Sequence, residues 1–184
     1  IGGEAPSDVY YMEAKAAFNS GVGKMAGFMA AAEHAALGGD DGAAKLVFSY
    51  SGNNKLYYQE VSGWSAQGIT PFGPIVDTQF APLTDCKLGF ARNKNNYYLF
   101  VNDVLMAHYE TDSFGKSDFG FCSTADDVNI TFSGVAYTVK ESVVSDIIAK
   151  HSDEIKIIGE KKSYLGGTFS YPGGKTYESF PYSW

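Results

Sequence analysis

The sequence offers little for metal or nucleophilic chemistry. Among 184 residues there are two cysteines and three histidines. Cys86 and Cys122 are too far apart in sequence for a zinc-ligand pair. Each falls in an apolar, strand-like stretch, where a thiol packs as a small hydrophobe. A disulfide between neighbouring strands is the alternative in a secreted chain, and sequence alone does not set their separation. None of His34, His108 and His151 has a second histidine or cysteine three or four positions away. Gly63-Trp64-Ser65-Ala66-Gln67-Gly68 misses the Gly-x-Ser-x-Gly elbow by one residue, with no strand–turn–helix pattern around it.

Basic residues are also scarce: 14 Lys and Arg against 21 Asp and Glu give a net charge of −7. That balance disfavours nucleic acid, whose phosphates need a basic surface, and docking to anionic membranes. No apolar run reaches the roughly 18 residues that a membrane-spanning helix needs, so membrane insertion is not expected. No signal peptide is recognisable, and a chain opening on Ile1 reads as a processed or excised piece.

What is abundant is aromatic and glycine content: 13 Tyr, 13 Phe and 21 Gly. Aromatics suit half-buried pleated surfaces and glycines suit the turns between strands, so composition leans towards β-structure. Val9 to Phe18 alternates, with Tyr10, Met12, Ala14, Ala16 and Phe18 on one face and Tyr11, Glu13 and Lys15 on the other. Lys24 to Glu33 reads as a strand despite Ala30-Ala31-Ala32. Lys45 to Ser51 and Leu56 to Ser62 flank the hairpin signal Gly52-Asn53-Asn54. Gly63 to Gly73 reads as a loop, and Pro71, Pro74 and Pro82 leave room there only for a short edge strand. Lys87 to Tyr137 holds at least five strands. Beyond Tyr137 the pattern changes: Val143, Val144, Ile147 and Ile148 predict a helix over 141–151. A short strand is expected at Ile155–Ile158, then a Gly- and aromatic-rich tail over Tyr164–Trp184.

Five stretches carry a family resemblance: Val9-Tyr10-Tyr11-Met12-Glu13-Ala14-Lys15, Leu88-Gly89-Phe90-Ala91-Arg92, Leu99-Phe100-Val101-Asn102-Asp103, Phe119-Gly120-Phe121 and Val128-Asn129-Ile130-Thr131-Phe132-Ser133. With the Gly27-Phe28 strand, they make residues 9–137 resemble the concanavalin A-like jelly rolls of the laminin-G and lectin/glucanase type. The expected fold is all-β: a two-sheet antiparallel jelly-roll sandwich over 1–138. A connecting helix and tail over 139–184 would pack on the sandwich or begin a further module. The alternation independently requires two packed sheets.

Glucanases of this fold are similar to one another in a Glu-x-Asp-x-Glu strand, which sets three carboxylates on one face. No such triplet occurs here. Glu13, Glu33, Glu60, Asp77, Asp85 and Glu110 are scattered, which argues against that class of hydrolase. Laminin-G-like domains often carry calcium, and the resemblance marks Asp40, Asp41, Asp126 and Asp127 as weak candidate ligands. The same aspartates also suit ordinary turns.

Carbohydrate recognition is the remaining class. Flat aromatic rings stack on sugar C–H groups, with amides and guanidinium groups supplying hydrogen bonds. If Tyr97, Leu99 and Val101 face inward, Tyr98, Phe100 and Asn102 face outward. If Leu56 and Tyr58 face inward, Tyr57 and Gln59 face outward, and Trp64 follows in a loop. Bulky aromatics on a wet face need a ligand or a cover, and the tail or a neighbouring domain would be that cover. The expected function is a non-catalytic module of a larger extracellular or cell-surface protein, recognising glycan through Tyr57, Gln59, Trp64, Arg92, Tyr98 and Asn102. The alternatives are an adhesion module contacting neighbouring domains, or a glycosidase with an atypical carboxylate pair.

Overall fold

A computed structural model describes the backbone of residues 2–4, 7–20, 25–33, 43–51, 55–62, 65–74, 85–110, 118–123, 129–151, 158–162 and 168–172. Its strands are β1 (Gly2–Glu4), β2 (Val9–Ser20), β3 (Met25–Glu33), β4 (Ala43–Ser51), β5 (Lys55–Ser62), β6 (Ser65–Pro74), β7 (Asp85–Asn93), β8 (Asn96–Val101), β9 (Val104–Glu110), β10 (Asp118–Ser123) and β11 (Asn129–Thr138). Helix α1 (Glu141–His151) and strands β12 (Ile158–Lys162) and β13 (Thr168–Pro172) follow. Among the described residues, no helix is long and apolar enough to cross a membrane.

The strands form two antiparallel sheets. Sheet A runs β1-β10-β3-β4-β5-β6 and sheet B runs β11-β2-β7-β8-β9-β13-β12. Phe121 of β10 meets Phe132 of β11 with ring centroids 4.8 Å apart, joining the inner faces of the two sheets. The expected sandwich is therefore the one observed.

Alternation fills sheet B's inner face as the sequence required. Tyr10, Met12, Ala14 and Ala16 pair in register with Arg92, Phe90, Leu88 and Cys86. Arg92, Phe90 and Leu88 of β7 in turn meet Tyr97, Leu99 and Val101 of β8. All of these side chains are buried. Phe90 lies 6.1 Å from Tyr10 and 6.3 Å from Tyr97, and Tyr109 extends the aromatic row 6.2 Å beyond Tyr97. Burial raises the Tyr10 phenol well above its usual range and pushes Tyr97 up to about 12, the Arg92 charge partly offsetting both.

Two expectations need correcting here. Gly63 to Gly73 is largely strand, not loop: β6 runs through Pro71. It lies at the end of sheet A, where one side of the backbone needs no ladder hydrogen bonds and proline is tolerated. The late strand β12 starts at Ile158 rather than ending there. Together with β13 it extends sheet B beyond β9, Thr168 pairing with Glu110 and Ser170 with His108.

Candidate functional site

Sheet B's outer face divides into an apolar half and a polar half. The apolar half comprises Val9, Tyr11, Ala91, Phe100 and Leu105, and helix α1 lies on it. The helix starts as Lys140 O accepts from Val143 N and Val144 N at 2.9 and 3.1 Å. Glu141 in the first turn and Lys150 and His151 in the last complement its dipole. Its inward stripe is Val144, Ile147, Ile148 and His151, the i, i+3, i+4, i+7 pattern of one helix face, with Val144 and His151 buried and the two isoleucines partly buried. Val143, grouped with that stripe by the sequence, is 37% exposed. His151 meets the Phe100 ring edge-on at 5.4 Å.

The alternation of β8 puts Phe100 on the outer face, and its register with Gly89 and Leu105 agrees. It is 2% exposed because α1 covers it. Among the described residues, the cover over Phe100 is the helix. Within the tail, β13 joins the edge of sheet B, and residues 173–184 lie outside the described residues.

A glycine permits this packing. A Cβ on Gly89 would stand 2.7 Å from the Tyr11 hydroxyl and 3.2 Å from Phe100 Cβ. The Tyr11 ring thus crosses the β7 backbone, meets Phe100 edge-on at 6.0 Å, and donates its hydroxyl to Glu13 Oε2 at 2.8 Å. Burial, then the Glu13 carboxylate, raise the Tyr11 phenol far above its ordinary range.

The polar half begins at Glu13. Lys87 Nζ is 3.4 Å from Glu13 Oε2 and also pairs with Asp103. Asn102 and Asp103 form the β8–β9 turn, both with positive φ (49° and 65°), as a two-residue I′ turn requires. Asn102 Oδ1 accepts from Lys87 N at 2.8 Å, and Asn102 N donates to Lys87 O at the same distance. Burial alone would lower the Lys87 ammonium, but its Asp103 and Glu13 partners outweigh that and raise it. Beyond this knot a hollow of about 470 Å³ is lined by Lys15, Ala17, Cys86, Lys87, Asn102 and Ser133. That volume falls within the roughly 300–1,000 Å³ of small-ligand sites.

Tyr98 and His108 form the third outward feature, their rings stacked at 4.6 Å and 6°. His108 Nε2 stands 2.7 Å from Asn96 Oδ1. Burial lowers the imidazole and raises the Tyr98 phenol, while Glu110 pushes both upward.

Of the six residues expected to share a glycan site, the five described are not brought together. Arg92 faces the core: it is 2% exposed, its guanidinium lies 5.2 Å from the Tyr97 ring centroid, and its Nε donates to Lys94 O at 3.0 Å. It holds the β7–β8 turn, where Lys94 has φ 57°, and cannot reach a surface ligand. The sequence carried the signal, since Arg92 shares parity with Leu88 and Phe90. Tyr98 and Asn102 belong to sheet B. Tyr57 and Gln59 belong to sheet A, where register joins Phe121 to Phe28, Phe28 to Phe48 and Phe48 to Tyr58 on the inner face. Tyr57 and Gln59 therefore occupy outer-face positions, opposite Ser49 and Val47. Trp64 lies outside the described residues, between the paired Ser62 and Ser65. Asp40, Asp41, Asp126 and Asp127 also lie outside them, and among the described residues no three His, Cys, Asp or Glu side chains gather. Sequence reasoning missed Lys15, Lys87 and Ser133 as hollow-lining residues, because a wet strand face predicts polar residues there in any case.

Comparison with solved structures decides the fold. The chain superposes on carbohydrate-binding module CBM66 from Bacillus subtilis with a TM-score of 0.50 and 12% identity, covering 74% of this chain and 76% of that one. It superposes on a tetrameric galectin from the ball sponge Cinachyrella with a TM-score of 0.50 and 9% identity, covering 74% and 96%. The fold is the concanavalin A-like jelly roll. The sequence itself matches no family model and no curated protein.

Proposed function

We propose that this chain is a non-catalytic carbohydrate-binding module of an extracellular or cell-surface protein, and that its glycan site lies on the outer face of sheet A. The carrying observation is the contrast between the two outer faces. On sheet B the aromatics are covered by α1 or stacked on His108, and the Asn102 side-chain carbonyl is bonded to the Lys87 backbone. On sheet A, Tyr57 and Gln59 pair with Ser49 and Val47, two positions apart on the side of β5 away from Tyr58, and Trp64 follows β5 in sequence. One aromatic ring and one amide at neighbouring positions suit a saccharide, whose C–H face stacks and whose hydroxyls hydrogen-bond. The missing Glu-x-Asp-x-Glu strand supports binding over cleavage, on a fold that carbohydrate-binding module CBM66 also has.

Glycan-array screening followed by calorimetry on the best ligand tests the assignment. Tyr57→Ala and Trp64→Ala are expected to weaken binding at least tenfold, or about 1.4 kcal/mol. Tyr98→Ala is expected to leave it unchanged. Loss with Tyr98→Ala and retention with Tyr57→Ala would move the site to sheet B.

A further inference from the structure

We infer that the end of β11 is a self-pairing edge and that its partner is a second copy of this chain. Among the described residues, β11 is the terminal strand of sheet B and pairs with β2 alone. Such an edge presents a row of backbone donors and acceptors, which proteins commonly blunt with lysine, proline or other charge. From Asn129 to Val139 the sequence holds no charged residue and no proline.

The exposed side chains point to the same partner. Val135, Tyr137 and Val139 alternate along the chain and are 54%, 68% and 43% exposed, among the most exposed large apolar groups described. Pairing with β2 shifts at a bulge between Ser133 and Ala136 and resumes over Ala136, Tyr137 and Thr138. Gly134 sits there at φ 59°, and a Cβ added to it would meet nothing within 4 Å. The bulge interrupts the ladder, and β11 continues beyond it as an apolar segment through Thr138. Tyr137 pairs with Met12, on the side of sheet B opposite the face that α1 covers.

The segment reads Val135-Ala136-Tyr137-Thr138-Val139, which is symmetric in its alternating residues. Antiparallel pairing about a two-fold axis at Tyr137 sets Tyr137 opposite Tyr137 of the second copy. It also sets Val135 opposite the second copy's Val139. Every cross-strand pair on that face is apolar, and the isologous symmetry closes at two copies. Each molecule carries a net charge of −7, so an uncharged segment is also where two copies approach with least repulsion. The inference is independent of the glycan assignment. If both hold, pairing joins two sugar sites in one particle and adds avidity.

Sedimentation equilibrium on the full chain, from about 1 to 100 µM, tests it. The expected result is a monomer–dimer equilibrium in that range. Tyr137→Lys, which sets two ammonium groups together at the axis, is expected to weaken dimerisation at least tenfold, and Val135→Lys several-fold. Val143→Lys, on the helix, is expected to have no effect. Far-UV circular dichroism checks that each variant keeps its fold. In the dimer the 135–139 amides should gain protection from hydrogen exchange. A wild-type chain that stays monomeric throughout, as expected if the edge serves another protein's strand, overturns the proposal. So does a dimer that survives both strand substitutions.

Discussion

The two faces of sheet B use the same strands and are finished in different ways. The inner face is filled by strand side chains alone, in the row Tyr10, Phe90, Tyr97 and Tyr109, with Arg92 inside it. The outer face needs a part added later in the chain: Phe100, Tyr11 and Leu105 become core only because α1 returns over them. Alternation within a strand decides which side a residue takes. What covers that side is decided by residues about forty positions from Phe100 and Leu105 and more than 130 from Tyr11, beyond the reach of strand periodicity.

The sharpest way to break this contrast is to delete matched rings from the two faces. Phe90→Ala and Phe100→Ala are both expected to cost about 3–5 kcal/mol in urea denaturation, because both rings are fully enclosed. A Phe100→Ala cost below about 1 kcal/mol would mean that α1 does not stay docked in solution. Equal costs would make the helix part of the folding unit.

A smaller effect comes from the backbone beneath the helix. Gly89→Ala adds a methyl where the Tyr11 hydroxyl already stands at 2.7 Å, and Tyr11 can yield only by giving up Glu13 or Phe100. The expected loss is about 1–3 kcal/mol, with α1 amides exchanging faster than those of β8. Protection lost evenly over the whole sheet would show that the outer face is no separate layer.

Much of this was legible in the sequence. The alternation of Val9 to Phe18 and the period of Leu88, Phe90 and Arg92 give the sandwich and its inner face. That same period also buried Arg92, although a charged residue at a strand end suggested a surface role. The glycan residues chosen from wet-face positions split between two sheets, because strand parity says nothing about which sheet a strand joins. β6 was obscured by prolines that an edge strand accommodates. The Lys87 knot was invisible because it links three strands through a turn whose geometry depends on Asn102 and Asp103 having positive φ.

That knot is half-exposed, so it offers a weaker handle on the polar half. Asp103→Asn removes one of the two carboxylates on Lys87 and is expected to cost about 0.2–1 kcal/mol, less in high salt. An effect of several kcal/mol, insensitive to salt, would mean that the polar half is as integral to the core as the face under α1.

The smallest effect separates the Tyr98–His108 stack from both halves. Burial holds the His108 imidazole below its ordinary value of 6.5, with Glu110 opposing. The folded chain therefore binds fewer protons at this site than the unfolded chain does. Its contribution to stability is present above about pH 6.5 and is lost as pH falls through the folded value. His108→Gln, which keeps an amide within reach of Asn96 and cannot titrate, is expected to flatten stability against pH between about 7 and 5, the other carboxylates being common to both proteins. Denaturation midpoints across that window, together with NMR titration of the ring protons, read it directly. Identical slopes for wild type and variant would show that the stacked ring is solvated in solution, which would open the Tyr98–His108 edge of sheet B's outer face to a ligand.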